Sequence, residues 1–275
     1  MTDRPLLIGA EATNPRSITI WSAIRDYFIA NDFPMEYALY SSYEAMDQAL
    51  LRGDLDVAWN APMAHAQCLI QSDGACRTLA MRDVDEAVTS LIVTRPDTGI
   101  EDLEGLRGRS IALGVEMSSE LRLLPVHELK QAGFDLEKDA QVVDLEPKTY
   151  PGGKAWVNDG MIFEAVQAGQ VDAGVIFAPY LPRLLEHYEL DESAVRVIWQ
   201  STPFDHCAFT ARAALPESLG DRFVELLLAM DPSDPDIAEM MKLEGIRTRW
   251  LPAKADGWNA LVDAVKSADL VGATF

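Results

Sequence analysis

The densest chemistry in this chain lies in Phe204-Asp-His-Cys-Ala-Phe-Thr210, where a carboxylate, an imidazole and a thiol occupy successive positions. Such a trio could do nucleophilic, acid–base or metal work, and the local backbone decides which. In a strand, Asp205 and Cys207 face one side and His206 the other. Adjacent imidazole and thiol then fall out of hydrogen-bond reach, and no nucleophile–base pair forms. In a loop the geometry is open. Cys207 reads first as a small buried hydrophobe, with a ligand or soft-metal contact and a nucleophile as its alternatives. Cys68 and Cys76 are spaced too irregularly for a zinc pattern. No metal and no cofactor are expected. His65 and Cys68 share a helix face that packs inward, and His127 and His187 read as surface helix residues. The chain has no GxGxxG after its first apolar run, no Walker loop, no GxSxG and no HExxH.

A second set of candidates sits where apolar runs give way to polar loops. After Leu6–Ala10 come Glu11, Thr13 and Asn14. After Glu36–Tyr40 come Ser41, Ser42 and Tyr43. After Asp56–Asn60 come Ala61, Pro62 and Met63. Further on lie Glu116-Met-Ser-Ser-Glu-Leu-Arg122, then Asp159, then Phe177-Ala-Pro-Tyr180. In open α/β sheets ligands bind at the carboxyl ends of strands, where helix N-termini offer free N–H groups. The candidate ligand-binding residues are therefore Glu11, Tyr40, Ser41, Trp59, Asn60, Ala61, Met117, Ser118, Ser119, Glu120, Asp159, Phe177 and Tyr180. Plainer readings stand beside them. The acids could be solvated or cap helices, Ser118 and Ser119 could be N-caps, Trp59 could pack in the core, and Tyr180 could cover a helix end. Asn60 is expected to turn its amide toward the crevice.

The elements that position these residues follow from hydrophobic patterning. Leu6–Ala10, Glu36–Tyr40, Asp56–Asn60, Val88–Thr94, Ser110–Gly114, Val142–Leu145, Ala173–Phe177 and Val195–Trp199 read as strands. Helical patterns separate them: Ile18–Ala30, then Tyr43–Leu51 with Ser42 as N-cap and Gly53 as terminator, then a helix opened by Pro62. This βα alternation predicts an α/β fold of mostly parallel strands with helices on both faces. No internal repeat is evident. Asp231-Pro-Ser-Asp-Pro-Asp236 is a loop that caps the following helix, and the chain from Leu215 onward is helical.

Three stretches carry a family resemblance. They are Tyr43-Glu-Ala-Met-Asp-Gln-Ala-Leu-Leu-Arg-Gly-Asp-Leu-Asp-Val-Ala-Trp-Asn-Ala-Pro-Met-Ala-His65, the run from Ser90 to Gly114 with its Leu106-Arg-Gly-Arg-Ser110 turn, and Phe163-Glu-Ala-Val-Gln-Ala-Gly-Gln-Val-Asp-Ala-Gly174. In order and spacing the chain resembles the type 2 periplasmic binding proteins, and among them the phosphonate/phosphite-binding (PhnD-like) group. The resemblance implies a two-lobe α/β clamp of mixed sheets flanked by helices, with a hinge of crossover strands. Lobe one would hold residues 1–83 and 214–275 and lobe two residues 84–213, with hinge strands near Val88–Thr94 and Phe204–Thr210. It also implies a small-molecule ligand and, for an exported protein, an ABC permease partner. The group's anion loop is matched by Met117-Ser-Ser-Glu120, but Glu116 and Glu120 flank the hydroxyls. Asp159 stands where the group carries a histidine, judged by its distance from Gly169. A carboxylate beside a bound dianion is repulsive by several kcal/mol where water is excluded. The expected ligand is therefore polar but not a simple phosphonate. Tyr40, Tyr43, Trp59, Phe177 and Tyr180 suit a cationic or heteroaromatic molecule.

Composition narrows the function further. The chain has 275 residues and a formal charge of −21, which excludes nucleic acid and anionic membrane as partners. No run reaches the length of a membrane span. The N-terminus lacks an apolar leader and the cysteine count is odd, so a cytoplasmic location is expected, with a periplasmic protein whose leader was removed as the alternative. The leading function is reversible capture of a small solute. The alternative is a cytoplasmic enzyme of the same fold using Glu11, Glu120, Asp159, His206 or Cys207 in the cleft, in a biosynthetic or catabolic pathway.

Overall fold

A computed structural model describes residues 4–12, 15–149 and 155–273. The chain begins β1 (Leu6–Glu11), α1 (Arg16–Ala30), β2 (Met35–Tyr40), α2 (Tyr43–Arg52), β3 (Val57–Asn60), α3 (Pro62–Gln71), β4 (Arg77–Thr78) and β5 (Ala80–Arg82). It continues with β6 (Ser90–Thr94), β7 (Ser110–Ala112), α4 (Leu124–Gln131), α5 (Leu136–Asp139), β8 (Gln141–Val143), β9 (Lys148–Thr149) and β10 (Ala155–Trp156). Next come α6 (Asp159–Gln167), β11 (Ala173–Phe177), α7 (Leu181–His187), β12 (Arg196–Gln200) and β13 (Ala208–Ala211). The last elements are α8 (Glu217–Leu228), α9 (Pro235–Glu244), β14 (Trp250–Pro252) and α10 (Asn259–Ser267).

These elements fall into two compact units. One runs to Ala87, resumes over Asp205–Val262 and adds the chain from Leu270; the other holds Val88–Phe204 and Asp263–Asp269. The first unit's sheet has the strand order β2-β1-β3-β13-β4, and the second unit's β12-β6-β11-β7-β8. Read from the other edge, the second order repeats the first. β1 pairs parallel with β2 and β3, as β7 does with β8 and β11. β13 then lies antiparallel between β3 and β4, as β6 lies antiparallel between β11 and β12. The sheets are mixed rather than mostly parallel, because β6 and β13 run against the strands beside them. The repeat is one of topology, invisible in the residues themselves. β13 belongs to the first unit's sheet, so residues 205–213, expected in the second lobe, lie in the first unit.

Local signals explain the helix ends that matter. The Ser42 hydroxyl accepts from the Ala45 amide, and Gly53 closes α2 at φ 84°, a conformation that favours glycine. Pro62 opens α3, and Asp234 caps α9 by accepting from Asp236 and Ile237. Each parallel triad is tied at its start by one carboxylate. Asp56 accepts from Leu7 N, from both Arg4 amino nitrogens and from Arg212 Nε. Asp172 accepts from Ser110 N and Oγ. The first unit's core is aromatic: Phe28 stacks on Phe223 at 5.0 Å, and Phe209 touches Trp21, Trp59, Phe223 and Trp250. Among the described residues no helix is long and apolar enough to cross a membrane.

Candidate functional site

In the first unit the strand ends gather one polar cluster. Glu11 ends β1 and is hydrogen-bonded to the hydroxyl of Tyr43, the first residue of α2. Burial pushes that hydroxyl well above its ordinary pKa, and Cys207, Glu11 and Glu244 add to the effect. Arg82, at the end of β5, forks onto Asp85 at 2.6 and 2.9 Å and donates to the Glu244 carbonyl at 2.8 Å. Its guanidinium also lies 5.4 Å from the centre of the Trp59 ring. Burial alone would raise the Asp85 carboxyl, but the bonds from Arg82 and His206 outweigh it and hold it down to about 2. Burial pushes Glu244 up to about 7 despite Arg82 and a hydrogen bond from Trp59. His206 Nδ1 lies 3.3 Å from Asp85 Oδ1 and 3.2 Å from Cys207 Sγ.

Several sequence expectations are corrected here. The strand expected over Phe204–Thr210 starts only at Ala208, so His206 and Cys207 lie in a loop and their side chains meet. Cys207 is half-buried rather than a buried hydrophobe. Asn60 does not face outward. It is fully buried and its amide donates to Thr210 Oγ1 at 3.1 Å and to Cys68 Sγ. Trp59 is partly buried and packs against the core, with ring centres 4.6 Å from Phe209 and 5.6 Å from Trp250. Trp59→Ala is therefore expected to cost about 3 kcal/mol of ligand-free stability, read by urea unfolding. Unchanged stability with lost ligand binding would restore the stacking role. Tyr40 ends β2, partly buried; Ser41 is exposed; Ala61 holds the N-cap position of α3. Thr13 and Asn14 lie outside the described residues.

In the second unit the corresponding ends are shaped by a single π turn, Ser119–Leu123, that runs into α4. Such turns are rare and frequent at functional sites. Ser118 caps it, its hydroxyl accepting from Leu121 N at 3.3 Å, and Ser118 and Ser119 are both buried. Their helix-capping reading therefore holds for Ser118. Gly114, two residues past β7, has no room for a side chain, since a Cβ there would lie 2.6 Å from Leu121 Cβ. Ser118→Ala is expected to lower stability by about 1 kcal/mol, seen as a reduced Tm; an unchanged Tm would show that the cap contributes nothing. Glu116 is exposed, Met117 and Glu120 are half-buried, and the Glu120 carbonyl accepts from Ser90 Oγ. Asp159 opens α6, and its Oδ1 accepts from Phe177 N at 2.7 Å, joining the helix start to the end of β11. The Phe177 ring meets Tyr180 edge-on at 5.5 Å, and Tyr180 is 45% exposed.

Arg82, Asp85 and Glu244 were not among the sequence candidates. The one local signal was Arg82-Asp-Val-Asp85, a charged run directly after an apolar strand. Glu120 and Asp159 lie in one unit and His206 and Cys207 in the other.

Two mixed sheets of the same strand order, with helix starts at the carboxyl ends of their parallel strands, define a type 2 periplasmic-binding-protein fold. Residues 12–258 match the family described as "ABC transporter, phosphonate, periplasmic substrate-binding protein". The chain belongs to that family. It is 22% identical over 204 residues to a probable ABC transporter phosphite binding protein, PhnD1, of Prochlorococcus marinus (strain MIT 9301), across 71% of this chain and 65% of that protein. The match thus spans less than two thirds of that relative's length. The structure of PhnD1 from Prochlorococcus marinus in complex with methylphosphonate aligns at a TM-score of 0.65 and 17% identity, over 97% of this chain and 98% of that one. A Xanthomonas citri protein bound to ATP aligns at a TM-score of 0.71 and 17% identity, over 97% and 98%. The periplasmic aliphatic sulphonate binding protein SsuA of Escherichia coli gives 0.59 and 16%, over 99% and 90%. These three share the fold. The family is a periplasmic one, which favours the periplasmic alternative over the cytoplasmic expectation.

Proposed function

We propose that this chain is the solute-binding component of an ABC importer, and that it closes its two lobes on a small polar ligand carrying a cationic or heteroaromatic part rather than on a simple phosphonate. An ABC permease is the proposed partner. The observation that carries the ligand class is the charge at the strand ends. In the first unit Asp85 and Glu244 gather around Arg82, whose guanidinium is committed to Asp85 and to the Glu244 carbonyl, while Glu11 stands with Glu244 near the Tyr43 hydroxyl. A dianion arriving there meets carboxylates and a cation already neutralised. In the second unit Glu116 and Glu120 flank the capped serines, and Asp159 sits at the start of α6. A cation gains where a phosphonate loses, and tyrosine faces add cation–π attraction.

The test is a thermal-shift panel on the purified protein. Phosphite, methylphosphonate and phosphate are set against amines, amino acids and heteroaromatic cations, and every hit is recovered and weighed. A ligand at ~100 times its Kd stabilises by ~2.7 kcal/mol. A shift with a cationic or heteroaromatic compound, recovered unchanged, is the expected result. A shift with the oxyanions alone overturns the ligand class. A hit recovered chemically altered overturns the binding-protein reading.

A further inference from the structure

We propose that Asp85, His206 and Cys207 form a three-ligand site for a thiophilic divalent cation, with zinc as its reference ion. The inference rests on the first unit alone and is independent of which solute the chain carries. One ligand atom from each residue lies within 4.8 Å of the other two. Asp85 Oδ1 and Cys207 Sγ converge on the same imidazole nitrogen, Nδ1, at 3.3 and 3.2 Å.

That convergence separates the two chemistries such a trio could do. A nucleophilic triad needs both nitrogens: the carboxylate holds Nδ1 and the nucleophile gives its proton to Nε2. Here both partners crowd one nitrogen, so no relay runs through the ring. Three donors around a common point is instead the arrangement of a coordination site. With zinc–nitrogen and zinc–oxygen distances of about 2.1 Å and zinc–sulfur of about 2.3 Å, tetrahedral donors stand about 3.4 Å apart. The two contacts in the protein are close to that edge length.

The donors are also held in place. The His206 amide donates to the Asp85 carbonyl at 2.9 Å, tying the two segments to each other. The indole of Trp258 donates to the His206 carbonyl at 2.7 Å. Asp205 Oδ1 accepts from Ala87 N at 2.9 Å, and its own amide donates to the Gly257 carbonyl at 2.8 Å. Gly257 must be glycine for this approach, since a Cβ would fall 2.0 Å from Asp205 Oδ2. Arg82 supplies the outer hydrogen bonds that orient the carboxylate, as ligating carboxylates require. Glu244 Oε1 lies 3.6 Å from Arg82 on the far side of that pair. The thiolate selects zinc over magnesium or calcium. Binding displaces the thiol proton to solvent: the S–H bond breaks and the S–metal bond forms, with no redox change. Three protein donors leave a fourth position for water or another exogenous ligand.

The test is a calorimetric titration of the full chain with Zn2+, repeated in two buffers of different ionisation heat. A parallel titration with Co2+ is followed through its thiolate charge-transfer absorption. One ion per chain, proton release on binding and a cobalt–thiolate band are expected. Cys207→Ser, which keeps the volume of the side chain, is expected to weaken Zn2+ binding at least ~10-fold and remove the band, and His206→Gln to weaken it similarly. Magnesium should not compete. Circular dichroism confirms that each variant is folded, and Cys68→Ser serves as a thiol control that leaves binding intact. No Zn2+ binding, binding unchanged by Cys207→Ser, or loss of binding in Cys68→Ser instead would overturn the proposal.

Discussion

Asp47→Asn is expected to flatten, and His65→Gln to steepen, a fall in stability expected of the parent as pH rises from 4.5 to about 6.5. Three buried groups of the first unit dominate this slope, and Asp205, whose carboxyl burial also raises, adds to the fall. Asp47 is 3% exposed and its Oδ1 has no partner. Burial pushes its carboxyl from 3.8 up to about 7, with bonds to Cys68 and Asn60 opposing. Burial likewise pushes Glu244 from 4.5 to about 7. Both stay protonated in the fold where the unfolded chain has released its proton. Their contribution is full below 3.8 and 4.5 and is lost as pH climbs through about 7. His65 has the opposite sign. It is fully buried between the hydroxyls of Thr210 and Thr78, and burial lowers its pKa from 6.5 to about 3. Its contribution is full above 6.5 and is lost as pH falls toward 3.

Within the window, raising the pH therefore brings two losses and one gain. The net is one proton, or about 1.4 kcal/mol per pH unit. Removing Asp47 leaves one loss against one gain, so the slope nearly vanishes. Removing His65 leaves both losses, about 2.7 kcal/mol per pH unit. Urea unfolding of the three proteins at several pH values across the window reads the slopes directly. The same slope in all three would rule this assignment out.

Asp56→Ala is expected to cost about 3 kcal/mol, and Asp172→Ala about 1 kcal/mol, although the two residues play the same part in their sheets. Each closes a parallel strand triad from its amino end. The difference is burial: the Asp56 side chain is 3% exposed and that of Asp172 30%. Removing Asp56 strands the half-buried Arg212, leaves Leu7 N without its acceptor and frees Arg4, which is largely solvated already. Removing Asp172 loses the bonds to Ser110 where water can replace them. Denaturant midpoints of the two variants check the order. Equal costs would show that burial does not set the value of these staples.

The longer strands were legible because each is a short apolar run bounded by turn residues, as Ala173–Phe177 illustrates without a shift at either end, but the two- and three-residue strands β4, β5, β9, β10 and β14 were not, and β14 lies in a stretch read as helical. Gly53 and Gly169 announced their turns for the same local reason, since both adopt positive φ. Pairing direction was not legible. β6 and β13 look like other buried strands, and only their partners make them antiparallel. For Asn60 and Trp59 packing and ligand contact stayed open as alternatives, because a strand-end position does not reveal what the adjoining helix and β13 press against it. Arg82, Asp85 and Glu244 were missed because Asp85 and His206 come together only through the pairing of distant segments. His206 and Cys207 were visible as unusual neighbours, but their geometry depended on where β13 begins.

The most direct test is a calorimetric titration of methylphosphonate into the purified protein, with a heteroaromatic cation from the thermal-shift panel titrated alongside. No micromolar binding of methylphosphonate and clear heat from the cation is the expected result. Micromolar binding of methylphosphonate would contradict the ligand class drawn from Glu11, Glu116, Glu120 and Asp159, and would make this chain a simple phosphonate binder of its family.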